Sequence, residues 1–164
     1  MILALRHGGM VGSLIVVDIA PVAYAHDLEA YLEALEGVSL EGVERRAEVD
    51  AGLAAAIPDP LIRAFLLRNL VADGGGWSWR VNLAAVRASL DEIIGFPEVE
   101  GAYGGPALFV AGELSRYIRA EHMETIKRLF PNVRTATIPD AGHWVHADRP
   151  GPFIETVRDF LDRE

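Results

Sequence analysis

The residue best suited to do chemistry in this sequence is His143, set between Gly142 and Trp144 in Asp140-Ala141-Gly142-His143-Trp144-Val145-His146. An imidazole titrates near neutral pH, so it can take a proton from a nucleophile and return it to a leaving group. A loop position would present it to a cleft; the plainer alternative is a ring hydrogen-bonded to nearby backbone. Such a base needs a carboxylate to hold one tautomer and to stabilise its charged form. Asp18, in Val17-Asp18-Ile19-Ala20-Pro21, is the first candidate. Glu113 and Ser115 compete from Gly112-Glu113-Leu114-Ser115-Arg116-Tyr117. Asp18 is favoured because Ser115 carries no charge and Glu113 can point away. A turn-forming or capping role ahead of Pro21 is the alternative for Asp18. His146 suggests a metal pair with His143, but no third ligand follows at a convincing spacing, so no metal or cofactor is expected. Trp77, Trp79 and Arg80 suit a substrate crevice or, more commonly for such aromatics, packing.

The Asp18, Glu113–Ser115 and His143 groups each follow a strand-like run. Residues 13–18 are rich in β-branched side chains without polar alternation, which suits a parallel strand buried on both faces, and the β pattern returns in the apolar run 106–112. Residues 133–138 alternate. Helices are expected at residues 1–7, stopped by Gly8-Gly9, and at 28–36 behind an Asp27 cap, closed by Gly37. Others are expected at about 40–57, from 61 to 70, at 83–94, at 120–130 before Pro131, and at 152–161. Residues 73–76 read as a loop. Strands alternating with helices imply an α/β fold with a parallel sheet and right-handed crossovers, whose functional loops lie beyond the strands' carboxyl ends. All three candidate groups sit at such ends.

The bulk properties narrow the function classes. With 164 residues the chain can bury a real core. A net charge of −9 argues against nucleic acid and against anionic membranes as partners. The absence of cysteine excludes disulfides, thiolate metal sites and a Cys nucleophile, and fits a reducing compartment, so a cytoplasmic location is expected. No apolar run reaches the roughly 18 residues of a spanning helix. The first 25 residues mimic a secretory signal, ending in Ala23-Tyr24-Ala25, but Asp18 and Pro21 interrupt the apolar stretch and favour the buried strand.

Four phrases together carry a resemblance. They are residues 14–22 (Leu-Ile-Val-Val-Asp-Ile-Ala-Pro-Val), Trp79-Arg80-Val81-Asn82-Leu83, residues 112–118 (Gly-Glu-Leu-Ser-Arg-Tyr-Ile) and Ala141-Gly142-His143-Trp144-Val145-His146. In this order they resemble the small-acyl esterase branch of the α/β-hydrolase superfamily, over essentially the whole chain. The resemblance implies a Ser-His-acid hydrolase of small acyl esters or thioesters, with a helical lid. It implies His143 as base, Asp18 as an acid after the sixth strand, and Trp79, Tyr117 and Trp144 beside the substrate. Where many relatives carry Asp after the seventh strand, this sequence has Glu113-Leu114-Ser115, so Asp18 and Glu113 stay open as alternatives.

Enzymes of this type hold the nucleophile in a G-x-S-x-G turn. Ser13, Ser39, Ser78, Ser89 and Ser115 all lack those glycines, and no oxyanion-hole loop is found. The expectation is therefore the C-terminal part of the fold, about three parallel strands with flanking helices. Residues 1–24 would be a helix tail and first strand, 25–95 a helical lid, and 96–164 the last strands and final helix. An N-terminal truncation, most simply a start codon placed too late, would leave a chain that is not a competent esterase by itself. One edge of its first strand would lie open to self-association. The other readings are a non-catalytic remnant that binds a partner or ligand, and a small enzyme using only Asp18, His143 and His146.

Overall fold

The two non-alternating apolar runs do form neighbouring strands. The computed structural model describes residues 1–24, 28–72 and 74–163, in two units: Met1–Ala23 with Phe96–Glu164, and Tyr24–Gly95. The expected cap at Asp27 and the loop residue Asp73 lie outside the described residues.

The first unit holds a three-stranded parallel sheet in the order β1 (Leu14–Val17), β4 (Ala107–Gly112), β5 (Val133–Ile138). Leu14 pairs with Ala107 and Val17 with Val110, while Ala107 pairs with Val133 and Gly112 with Ile138. Every residue of β4 is buried, because the strand is flanked on both edges and covered on both faces. Leu108 and Val110 pack with Ile138, Val145 and Phe160 on one face. Phe109 points the other way, its ring 5.3 Å from that of Phe130. That opposite placement follows from the period of two along a strand. β5 keeps only Ile138 fully buried, which is why its sequence alternates.

Helices frame this sheet. α1 (Ile2–Arg6) runs into a 3-10 turn at Gly8–Met10, where the expected stop lies. Beyond it, the Tyr103 hydroxyl donates to Val11 O at 3.1 Å, tying the segment to the packed edge of Phe130. α7 (Met123–Leu129) crosses from β4 to β5 after a 3-10 turn at Ala120–His122, so the expected helix at 120–130 is shorter than the pattern suggests. A short α8 (Val145–Asp148) follows the loop that carries His143. α9 (Pro150–Leu161) closes the unit, starting at a proline whose missing N–H costs nothing in a first turn.

The second unit is not all helical, and this corrects the expectation for residues 25–95. Among the described residues five helices, α2 (Leu28–Gly37), α3 (Arg46–Leu53), α4 (Pro60–Leu66), α5 (Leu83–Ala88) and α6 (Leu90–Ile94), the last two split at Ser89, share it with an antiparallel hairpin. The hairpin joins β2 (Leu70–Ala72) to β3 (Trp77–Trp79), with Leu70 opposite Trp79. Gly74 and Gly76 adopt positive φ of 81° and 146° in the connection, and Arg80 N donates to Asn69 O at 2.8 Å at its open end. The chain reverses there instead of continuing α4 to residue 70. α3 also starts later than expected, since Gly42 at φ 71° belongs to a turn.

Within this unit Leu35, Val49, Leu53, Ile57, Leu67 and Leu70 form the core, with Trp77 and Trp79 partly buried against it. Asp59 caps α4, accepting from Leu61 N at 2.8 Å ahead of Pro60. The Arg87 guanidinium donates to Glu36 and holds that carboxyl below its ordinary range. Among the described residues no helix is long and apolar enough to cross a membrane.

Candidate active site

Asp18 is the residue that follows β1, and among the described residues it is the one acid that is fully buried. Its N–H donates to Val110 O at 2.8 Å, extending the β1–β4 ladder by one step. The backbone then turns into the left-handed region, at φ 50°, where Asp is among the few tolerant side chains. Its side chain is only 1% exposed. A buried carboxylate is costly unless hydrogen bonds replace its water. Here three donors do so. Gly112 N donates to Oδ1 at 3.1 Å, while the Ser115 hydroxyl, at 2.5 Å, and His143 Nδ1, at 2.8 Å, both reach Oδ2.

His143 comes to this carboxylate from the loop after β5. Because a carboxylate oxygen only accepts, Nδ1 must carry the proton, which leaves the lone pair of the neutral ring on Nε2. The side chain is 47% exposed, so a base of this orientation is open to a reactant while its partner is dry. The Tyr117 ring stacks on the imidazole, centroids 4.0 Å apart and planes inclined by 21°. Tyr117 N in turn donates to Ser115 Oγ at 3.2 Å. His122 Nδ1 lies 3.1 Å from Tyr117 O.

The loop that carries His143 is fixed through its backbone. Asp140, at φ 54°, donates its N–H to Glu113 Oε2 at 3.0 Å, and its carboxylate accepts from Arg149 Nη1 at 2.7 Å. Gly142 N donates to Asp148 Oδ2 at 2.8 Å, and Leu114 N donates to Ala141 O at 2.9 Å. Gly112 lies against this loop. A Cβ there would stand 2.2 Å from Gly142 O and 2.5 Å from Ala141 O, closer than packing allows.

Of the residues singled out from sequence, the structure brings Asp18, His143, Ser115 and Tyr117 together. The alternative acid, Glu113, instead accepts the Asp140 N–H at an exposed position, while it is the Asp18 carboxylate that contacts His143. Trp144 is partly buried, and its carbonyl accepts from Ala147 N and Asp148 N at the start of α8. Trp79 belongs to the hairpin of the other unit. The His146 ring meets Phe153 edge-on at 6.3 Å. Among the described residues no group of His, Cys, Asp or Glu could hold a metal ion. Sequence reasoning missed Gly112 and Asp148, whose effects run through backbone contacts that spacing does not reveal, and the supporting role of Ser115, whose hydroxyl links Asp18 to the Tyr117 backbone.

The geometry agrees with what this chain is similar to. The family described as alpha/beta hydrolase fold matches residues 42–150. The sn-1-specific diacylglycerol lipase ABHD11 of Mus musculus is 41% identical over 167 residues, covering 98% of this chain and 54% of that protein. Esterase YbfF of Escherichia coli strain K12 is 30% identical over 155 residues, covering 93% of this chain and 58% of its own length. A solved structure described as a marine microorganism esterase superposes with a TM-score of 0.89 at 32% identity, over 96% of this chain and 63% of the other. The chain thus spans about half the length of the curated relatives it matches. Its fold is consistent with the C-terminal part of theirs, and the chain belongs to the α/β-hydrolase family.

Proposed function

We propose that this chain supplies the base and the acid of a Ser-His-Asp hydrolase of small acyl esters or thioesters. The observation that carries the reading is the 2.8 Å contact between His143 Nδ1 and a buried Asp18, from residues 125 positions apart. In the first half-reaction, Nε2 of His143 takes the proton of a serine hydroxyl as its oxygen attacks the carbonyl carbon. Asp18 holds the Nδ1–H tautomer and offsets the imidazolium charge. His143 then protonates the leaving alcohol or thiol. In the second, it deprotonates the water that attacks the acyl-serine and returns that proton to the serine oxygen. The relatives, by name an esterase and a lipase, support the reaction class.

None of the five serines of these 164 residues stands in a G-x-S-x-G turn, so turnover draws its serine from residues outside this sequence. The lid role of residues 25–95 and the substrate contacts of Trp79 and Trp144 rest on the sequence resemblance alone. The test is hydrolysis of a short-chain p-nitrophenyl ester. The isolated chain should give no acyl-enzyme burst. Expressed together with a polypeptide carrying the G-x-S-x-G turn and preceding strands of the same fold, it should turn over, and His143→Ala should cut kcat by about 10³-fold or more. Equal turnover by the His143→Ala variant would overturn the reading.

The non-catalytic alternative draws support from β1, whose second edge has no strand partner among the described residues. It predicts a defined oligomer by light scattering and no turnover in either arrangement.

A further inference from the structure

We propose that Tyr117 is a positioning residue for His143, acting through the stacked ring face. This rests on the reading of His143 as the base, and adds what fixes the plane of its ring. A single hydrogen bond from Nδ1 to Asp18 restrains the imidazole's distance but leaves the ring able to swing about that bond, and the side chain is 47% exposed. An aromatic face 4.0 Å away and inclined by only 21° removes that freedom, because swinging the ring would forfeit the stacking contact. The direction of the Nε2 lone pair follows from the ring plane.

The brace is itself anchored, and to the same acid. Ser115 Oγ donates to Asp18 Oδ2 at 2.5 Å and accepts from Tyr117 N at 3.2 Å. The turn that presents the Tyr117 ring is therefore pinned to the carboxylate that orients the imidazole, so acid and ring plane are set by one short segment, residues 115–117. His122 Nδ1, 3.1 Å from Tyr117 O, borders the other end of the same residue. A side chain that merely filled space would need neither this parallel geometry nor a backbone tied to Asp18.

The test uses proton NMR on the 164-residue chain and needs no turnover, so its failure is separable from failure of the hydrolase reading. In the parent, stacking should shift the His143 ring-proton resonances upfield and give cross-relaxation to the Tyr117 ring protons. Tyr117→Phe should keep both signals. Tyr117→Leu should lose the upfield shift and broaden the His143 ring resonances as the ring samples several orientations, while a matched thermal unfolding curve shows the fold intact. An unshifted His143 in the parent would overturn the proposal, which covers the case in which Tyr117→Leu fails to fold. Sharp, parent-like His143 signals in a folded Tyr117→Leu variant would overturn it equally.

Discussion

Asp18 and Glu113 invite comparison, since each is the first residue beyond a parallel strand of one sheet, the former after β1 and the latter after β4. Their chemistry is nearly the same and their fates are opposite. Asp18 turns through φ 50°, which carries its side chain into the sheet end, where it collects donors from Gly112, Ser115 and His143. Glu113 continues the ladder, its N–H donating to Ile138 O at 3.0 Å, and its longer side chain reaches over the exposed Asp140 N–H. The lesson is that the backbone turn after the strand, more than the carboxylate itself, decides which acid is dry and meets His143.

That contrast can be broken by truncation. Asp18→Ala strands Gly112 N and the Ser115 hydroxyl without their acceptor and puts alanine in the left-handed region, so it should cost about 3 kcal/mol. Glu113→Ala removes a solvent-exposed acceptor and should cost about 0.5 kcal/mol or less. Chemical denaturation of the two variants measures both; equal losses would dissolve the distinction. Between them lies Gly112→Ala, which removes neither carboxylate and keeps the N–H that Asp18 accepts. Its Cβ would press on the carbonyls of Ala141 and Gly142, forcing the His143 loop away at a cost of about 2 kcal/mol. A Gly112→Ala variant as stable as the parent would show that strand end and loop are not in the close contact described.

The comparison also marks what a reader of the sequence could see. Strand β4 was legible because burial on both faces leaves no polar alternation in Ala107–Gly112, and β1 because Leu14–Val17 is apolar throughout although only Val16 is fully buried. β5 was legible for the converse reason, an edge strand in which Arg134, Thr135 and Thr137 are exposed between apolar residues. The β2–β3 hairpin was not, since three residues such as Trp77–Trp79 carry too little periodicity to outweigh the helical pattern before them. The break at Ser89 was equally hidden, because the apolar spacing on either side of it fits one helix. Of the site, Asp18 and His143 could be picked out by residue type at strand ends. Gly112 could not, because its contribution is an absence of side chain where two backbones meet. Asp148 was silent too, as its partner is the N–H of Gly142 and not a side chain.

The central claim is that Asp18 and His143 act as one acid–base unit, and the tautomer of His143 tests it most directly. In nitrogen-15 correlation spectra recorded at about pH 9, above the ordinary imidazole range near 6.5, His143 should show a protonated Nδ1 and a bare Nε2. Asp18→Asn should move population to the Nε2–H form. A parent ring already protonated at Nε2, or a tautomer indifferent to Asp18→Asn, would contradict the account.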